Sequence, residues 1–242
     1  MPKLTPGLKR LVDFIEGENG HVSVVRAAEL MKKAAITSND LEPWADYSHP
    51  LKDGYGRKLA FHNEFYEIMI MTWNVGDFSN VHNHGYTQWG AVQVFGNSMH
   101  HSYSDIGPVF KLTKKEILPY GSIIKVNNAL IHQMGNVTSE PYLTLHIYGA
   151  NESHDNITAD MKVYEMETGK IRKTSGGAFF NLTDEEAPVV GLMKPVEKET
   201  FVHQAAILLP YYCRYTPNEI AKKRISLLEK LQQMVCDRLE AQ

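Results

Sequence analysis

From about residue 57 the chain breaks into short apolar or alternating runs, and this texture constrains its fold more than any other feature. KLAF, YEIMIMTW, TQWGAVQVF, MHHSY, VFKL, GSIIKV, LIHQMGNV, YLTLHIYG and MKVYEM follow one another, separated by VGDFSN, FGNS, SDIGP, LPYG, TSEP and ETGK. Strand-length runs punctuated by Gly, Asn, Pro and Asp read as antiparallel strands joined by turns, the pattern of a β-sandwich or barrel. No long helical pattern alternates with them, which argues against a parallel α/β sheet. Helices are expected only at the ends. Residues 5–17 have Thr5 to cap, Pro6 in the first turn, and Leu8, Leu11, Val12 and Ile15 on one face. A second helix is expected at 22–35, irregular structure with at most one short helix at 36–56, and loop at 175–177 and 184–186, with the rest of 171–200 carrying no clear pattern. A last helix at 217–240 opens on a capping box of Thr216 and Glu219 with Pro217 between them. Its apolar stripe of Ile220, Leu227, Leu228, Leu231, Val235 and Leu239 is irregular, which fits packing on the barrel better than a coiled coil. The expected organisation is one domain: helical residues 1–56, a barrel over 57–191 and a helical extension over 192–242.

Composition narrows the function classes. With 43% hydrophobic residues the chain can bury a sizeable core, and a net charge of −3 with no basic block argues against nucleic acid as a partner. The two cysteines, Cys213 and Cys236, make no disulfide scaffold and fit a reducing cytosol. The first twenty residues lack an apolar leader core, and no stretch approaches the roughly 18 apolar residues of a membrane span, so a cytoplasmic chain with no membrane partner is expected.

The chemistry gathers on histidines. His82 and His84 are two apart, so in a strand both imidazoles project from one face. His132 lies far enough downstream for its strand to pair back against theirs, and Asn136 follows it by four, as in the second short motif of cupins. Neutral imidazoles on one face suit Fe(II), Zn(II), Ni(II) or Cu(II). The carboxylate that cupins usually add after the pair is absent from GYTQWG, which implies an all-histidine site. Thr144, His146 and Tyr148 share a strand face by the same period of two, where hydroxyl, imidazole and phenol can hydrogen-bond in series. Arg57, after Tyr55 and Gly56, has the guanidinium fork that suits a substrate carboxylate. His100 and His101 are expected on an outer strand without a role.

Taken in order, YGRKL, MIMTW, HNHGYTQWG, IHQMGNV and EPYLTLHIYG resemble the cysteine dioxygenase family of thiol dioxygenases, over roughly residues 40–150. The resemblance implies a mainly β fold, the cupin double-stranded β-helix barrel. It also implies Fe(II) on His82, His84 and His132, a carboxylate anchor at Arg57 with Tyr55 beside it, and a relay of Thr144, His146 and Tyr148 in which Thr replaces the family's Ser. Animal members carry a crosslinked Cys seven residues after the first ligand. Trp89 stands there instead, so no crosslink forms, and Trp89 is expected to shape a different substrate pocket together with Tyr86. The implied reaction is oxidation of a small thiol carboxylate, such as cysteine or 3-mercaptopropionate, to its sulfinic acid with O2, by a monomer or homodimer. Two other classes remain open: a cupin oxygenase or lyase for a non-thiol carboxylate, and a cupin that binds a metal or small molecule without turnover.

Overall fold

The computed structural model describes residues 3–180, 182–214 and 218–240; within the last helix the side chains of 218–222, 235–236 and 238–240 fall outside the described set. Among the described residues, eleven strands form two sheets facing each other. The first is fully antiparallel, in the order β1 (Gly56–His62), β2 (Tyr66–Trp73), β8 (Tyr142–Gly149), β3 (Trp89–Val94), β6 (Ile123–Val126). The second has two halves, β5 (Lys111–Leu118), β4 (Ser98–Ser104), β7 (Ile131–Gly135) and β11 (Val189–Leu192), β10 (Lys170–Thr174), β9 (Met161–Glu165). Residues 78–82 join the halves. Phe78 and His82 bridge to β7, and His82 also bridges to Val163 of β9.

This arrangement explains why β2 and β8 read as nearly unbroken apolar runs. The first sheet is covered on both faces, as the residue-by-residue burial of both strands shows. Its outer face carries Ile68, Ile70, Trp89, Ala91, Leu143, Leu145 and Ile147, packed under α1 (Pro6–Glu16) and α2 (Val24–Ala34). Leu8, Leu11 and Ile15 of α1 are fully or nearly buried there. Each contributes about 1.5–3 kcal/mol by leaving water. The inner face carries Met69, Met71, Trp73, Val92, Val94 and Tyr148, which meet Met134, Met161 and Val163 of the second sheet. Successive residues of β8 therefore point alternately to the helices and into the barrel.

The structure departs from the sequence reading at the helix ends and in the C-terminal third. Thr5 does not cap α1 with its side chain; its hydroxyl donates to the Asp40 carbonyl, and the Asp40 carboxylate accepts from Gly7 N instead. The 36–56 segment forms two short 3-10 turns, Ser38–Asp40 and Glu42–Trp44. The loops expected at 175–177 and 184–186 are present, and around them the unassigned stretch 171–200 holds most of β10, all of β11 and the start of α3 (Lys198–Arg214), whose aromatic end packs on the outer side of the second sheet through Tyr211 and Tyr212. Pro210 inside α3 and its long apolar run hide the helix from periodicity. The last helix, α4 (Asn218–Glu240), buries Leu227 in the same cluster; Thr216 and Pro217 of the expected capping box lie outside the described residues.

Candidate metal centre

The three histidines converge where the joining segment crosses the second sheet. His82 and His132 exchange both backbone hydrogen bonds, His82 N to His132 O at 3.0 Å and His132 N to His82 O at 2.9 Å, so they stand directly opposite with side chains on one side. His84 is not on a regular strand, contrary to the simple two-apart argument. Asn83 pins the pair instead: its N–H donates to the Lys162 carbonyl and its side-chain oxygen accepts from Lys162 N. The chain then turns sharply at Gly85, with φ +55 and no room for a Cβ against the Ala159 carbonyl. Thr87 N closes the turn on His84 O at 3.0 Å.

The ligand atoms of His82, His84 and His132 all lie within 4.8 Å of one another, and all three residues are buried. Burial holds the rings neutral. It lowers the pKa of His82 to about 4, and with neighbouring histidines it drives His84 and His132 well below the ordinary value. The outward nitrogens of His82 and His132 are already engaged. His82 Nδ1 faces the Asn80 carbonyl at 2.8 Å, and that acceptor fixes the proton on Nδ1 and leaves Nε2 bare. His132 Nδ1 lies 3.0 Å from His100 Nε2, while its own Nε2 lies 3.1 Å from His84 Nε2. Two nitrogens each about 2.1 Å from one ion, at right angles, would stand about 3.0 Å apart, so the spacing fits a shared divalent cation. Three neutral nitrogen donors and no carboxylate fit a borderline metal rather than Mg or Ca.

The site opens into a small cavity lined by the three histidines, Tyr55, Met71, Trp73, Ser79, Met134, His146, Tyr148, Thr158, Met161 and Gly176. The β8 face behaves as the period of two implies. Trp73 Nε1–H donates to Thr144 Oγ1 at 2.9 Å, Thr144 Oγ1 lies 2.7 Å from His146 Nε2, and His146 Nδ1 lies 2.7 Å from Tyr148 Oη. Burial, with His82 and Arg57 nearby, pushes His146 down to about 3, so its ring is neutral and carries one N–H. A neutral His146 donates to one of these neighbours and accepts from the other; donation by the Thr144 hydroxyl to Nε2 would put the ring hydrogen on Nδ1, toward Tyr148 Oη, and free the phenolic hydrogen for the cavity. Burial raises Tyr148 above the ordinary phenol range, which keeps that hydrogen in place.

Arg57 reaches the cavity wall from β1. Its guanidinium donates to Thr158 Oγ1 at 3.3 Å, and its Nε is buried without a partner. Thr158 is held in turn by the buried Glu67 carboxylate, which accepts from Thr158 Oγ1 and from Ile157 N. Tyr55 lines the same wall, stacked on Trp73 at 5.0 Å, with its hydroxyl accepting from Ala178 N at 2.9 Å. Trp89 is the exception. It is on the opposite face of β3, packed among the α1/α2 core beside Tyr66, and does not reach the cavity. Its partner in register is Gly149, and alternate residues of β3 and β8 face the helices. Tyr86 is exposed and stacked on His154, so it does not shape the cavity either.

Three residues at the site went unsuspected. His100, expected on an outer strand, is 5% exposed and hydrogen-bonded to His132 of the three-histidine cluster. Glu67 was hidden in an apolar strand. Gly176, with φ +116, sits where a Cβ would collide with Thr158 Oγ1 and the Arg57 guanidinium, and the Ser-Gly-Gly run was its only sequence signal.

No family model matches the chain. Among solved structures it is similar to a protein with a double-stranded β-helix domain from Klebsiella pneumoniae, at 12% identity over 50% of this chain and 93% of that one, TM-score 0.39. It is also similar to a Cupin 2 conserved barrel domain protein from Salinispora arenicola, at 13% identity over 44% and 85%, TM-score 0.34. A mutant of the oxalate decarboxylase from Bacillus subtilis matches at 16% identity over 48% of this chain and 30% of that one, TM-score 0.38. The two facing sheets and the site between them define a cupin-type double-stranded β-helix barrel with a buried three-histidine cluster able to hold a metal. Among the described residues no helix is long and apolar enough to cross a membrane.

Proposed function

We propose that this protein is a mononuclear iron(II) thiol dioxygenase that converts a small thiol carboxylate into its sulfinic acid. The observation that carries the reading is the meeting, in one small cavity, of three neutral imidazoles and a phenol aligned by Thr144 and His146, with the Arg57 guanidinium against the Thr158 and Gly176 side of its wall. The reaction balances without a reductant: a thiol plus O2 gives a sulfinic acid, both oxygens ending on sulfur. Iron(II) on His82, His84 and His132 would supply charge to favour the thiolate and electrons to engage O2. Arg57 holds the substrate carboxylate with the donors that Thr158 leaves free, which fixes how far the sulfur reaches toward the histidines. Tyr148 presents its Oη hydrogen toward the cavity, where it steadies developing negative charge on oxygen. Met71, Met134 and Met161 keep water from the remaining wall.

Aerobic incubation of Fe(II)-loaded protein with a panel of thiol carboxylates, followed by O2 uptake and sulfinate detection, tests this. Stoichiometric sulfinate from at least one thiol is expected. No O2 uptake with any thiol, but uptake with a non-thiol carboxylate, replaces the reading with a different cupin oxygenase. In the same assay Arg57→Ala should weaken apparent substrate affinity by about 2–4 kcal/mol, roughly 30- to 1,000-fold in KM. An unchanged KM removes Arg57 from the carboxylate site.

A further inference from the structure

We infer that His100 and Glu116 form a positioning pair for the metal centre, fixing the ring of His132 so that its Nε2 is the ligand atom. The inference rests on the three-histidine metal reading and adds residues that neither the sequence motifs nor the fold assign.

The geometry is a chain across three adjacent strands. His132 on β7 pairs in register with Ser102 on β4, and His100 is two residues before Ser102, so His100 and His132 are diagonal neighbours on one sheet face. On its other side β4 pairs with β5, where His100 is directly opposite Glu116. The side chains follow the register. His132 Nδ1 lies 3.0 Å from His100 Nε2, and His100 Nδ1 lies 3.0 Å from Glu116 Oε1. The other oxygen of Glu116 is tied to Lys114 Nζ at 2.8 Å.

The chemistry of the acceptors sets the direction. A carboxylate only accepts, so His100 carries its proton on Nδ1 and offers Nε2 as an acceptor. His132 must then donate through Nδ1, which leaves its Nε2 lone pair facing His84 and His82. An imidazole ligand whose second nitrogen donates to a fixed acceptor is held in one tautomer and one orientation, and its basicity rises. Here the acceptor is a second imidazole, itself anchored by the carboxylate and lysine at the barrel surface. His82 meets the same need with the Asn80 carbonyl. His100 is thus a positioning residue, since it reaches the metal only through His132.

Metal binding by the apoprotein is the direct readout. Competition with a chromophoric chelator for Zn(II) and Co(II), with the Co(II) absorption bands recorded, is measured on wild type, His100→Phe, His100→Gln and Glu116→Ala. His100→Phe keeps an aromatic ring but removes the acceptor, and a 10- to 100-fold rise in Kd is expected. His100→Gln restores a side-chain carbonyl and should recover most of that loss. Glu116→Ala leaves the His100 ring free to take either tautomer and should weaken binding by several-fold, with shifted Co(II) bands. Glu116 lies at the surface end of the chain, so this variant tests the pair if the His100 variants fold poorly. Wild-type affinity in both His100→Phe and Glu116→Ala overturns the positioning role while leaving the metal centre intact. Equal losses in His100→Phe and His100→Gln point to packing alone and also overturn it. A wild-type protein that binds neither metal overturns the centre itself, and the pair with it.

Discussion

Two hydrogen-bonded chains reach the cavity from opposite sheets, and they are built differently. Thr144, His146 and Tyr148 run along one strand of the first sheet, each two residues after the last. Glu116, His100 and His132 run across three strands of the second sheet, from a half-buried carboxylate to a histidine of the candidate metal cluster. The first chain ends in a phenol at the cavity; the second ends in a ring of the three-histidine cluster. A chain along a strand needs only the pleat, whereas a chain across strands needs the register of every pair between its members. Removal of a link should therefore have separable effects: loss of chemistry from the first chain, loss of metal from the second.

The largest effect is expected where the second chain ends. His132→Ala removes one of the three candidate ligands, and metal content after Fe(II) loading and desalting should fall to a small fraction of one ion per chain by elemental analysis. Retention of a full equivalent would move the centre elsewhere. Next comes the end of the first chain. Tyr148→Phe should leave metal content at the wild-type level and lower kcat by about 10²- to 10⁴-fold, the range for a group positioned to transfer or hold a proton. A parallel loss of metal would erase the distinction between the two chains. The smallest effect is expected at Trp89, on the outer face of β3. Trp89→Phe should lower stability by about 1 kcal/mol through a smaller filled volume, partly offset because the Trp89 N–H is buried without a partner. Thermal unfolding should show a drop of a few degrees, with KM and metal affinity unchanged; a shifted KM would bring Trp89 back to the substrate.

The legibility of the site follows the same contrast. The β8 triad was readable because a period of two fixes which side chains share a face, whatever the strand pairs with. His82, His84 and His132 were readable as a set, but the reason given, a shared strand face, holds only loosely. Asn83 on Lys162 and the turn at Gly85 aim His84, and both depend on β9, far along the chain. Trp89 was placed at the substrate because a sequence position says nothing about which face a strand turns to a buried site when both faces are covered. Glu116 lay in the charged run KLTKKEIL, most of which faces water on an edge strand and carries no apolar alternation to mark it as β.

By itself the sequence determined a chain of short antiparallel strands between terminal helices, a histidine-rich centre without a carboxylate, an arginine at the start of the first strand and a polar triad along one later strand. These follow from local rules: the pleat, turn chemistry and the donor inventory of side chains. Only the tertiary structure decided that the first sheet is sandwiched between helices and barrel, which turns Trp89 away. It also decided that residues 156–158 and Gly176 shape the pocket around Arg57, and that His100 stands between Glu116 and His132. Each of these depends on register and on contacts between residues far apart in the chain, and a one-residue slip in register would turn His100 to the other face of its sheet.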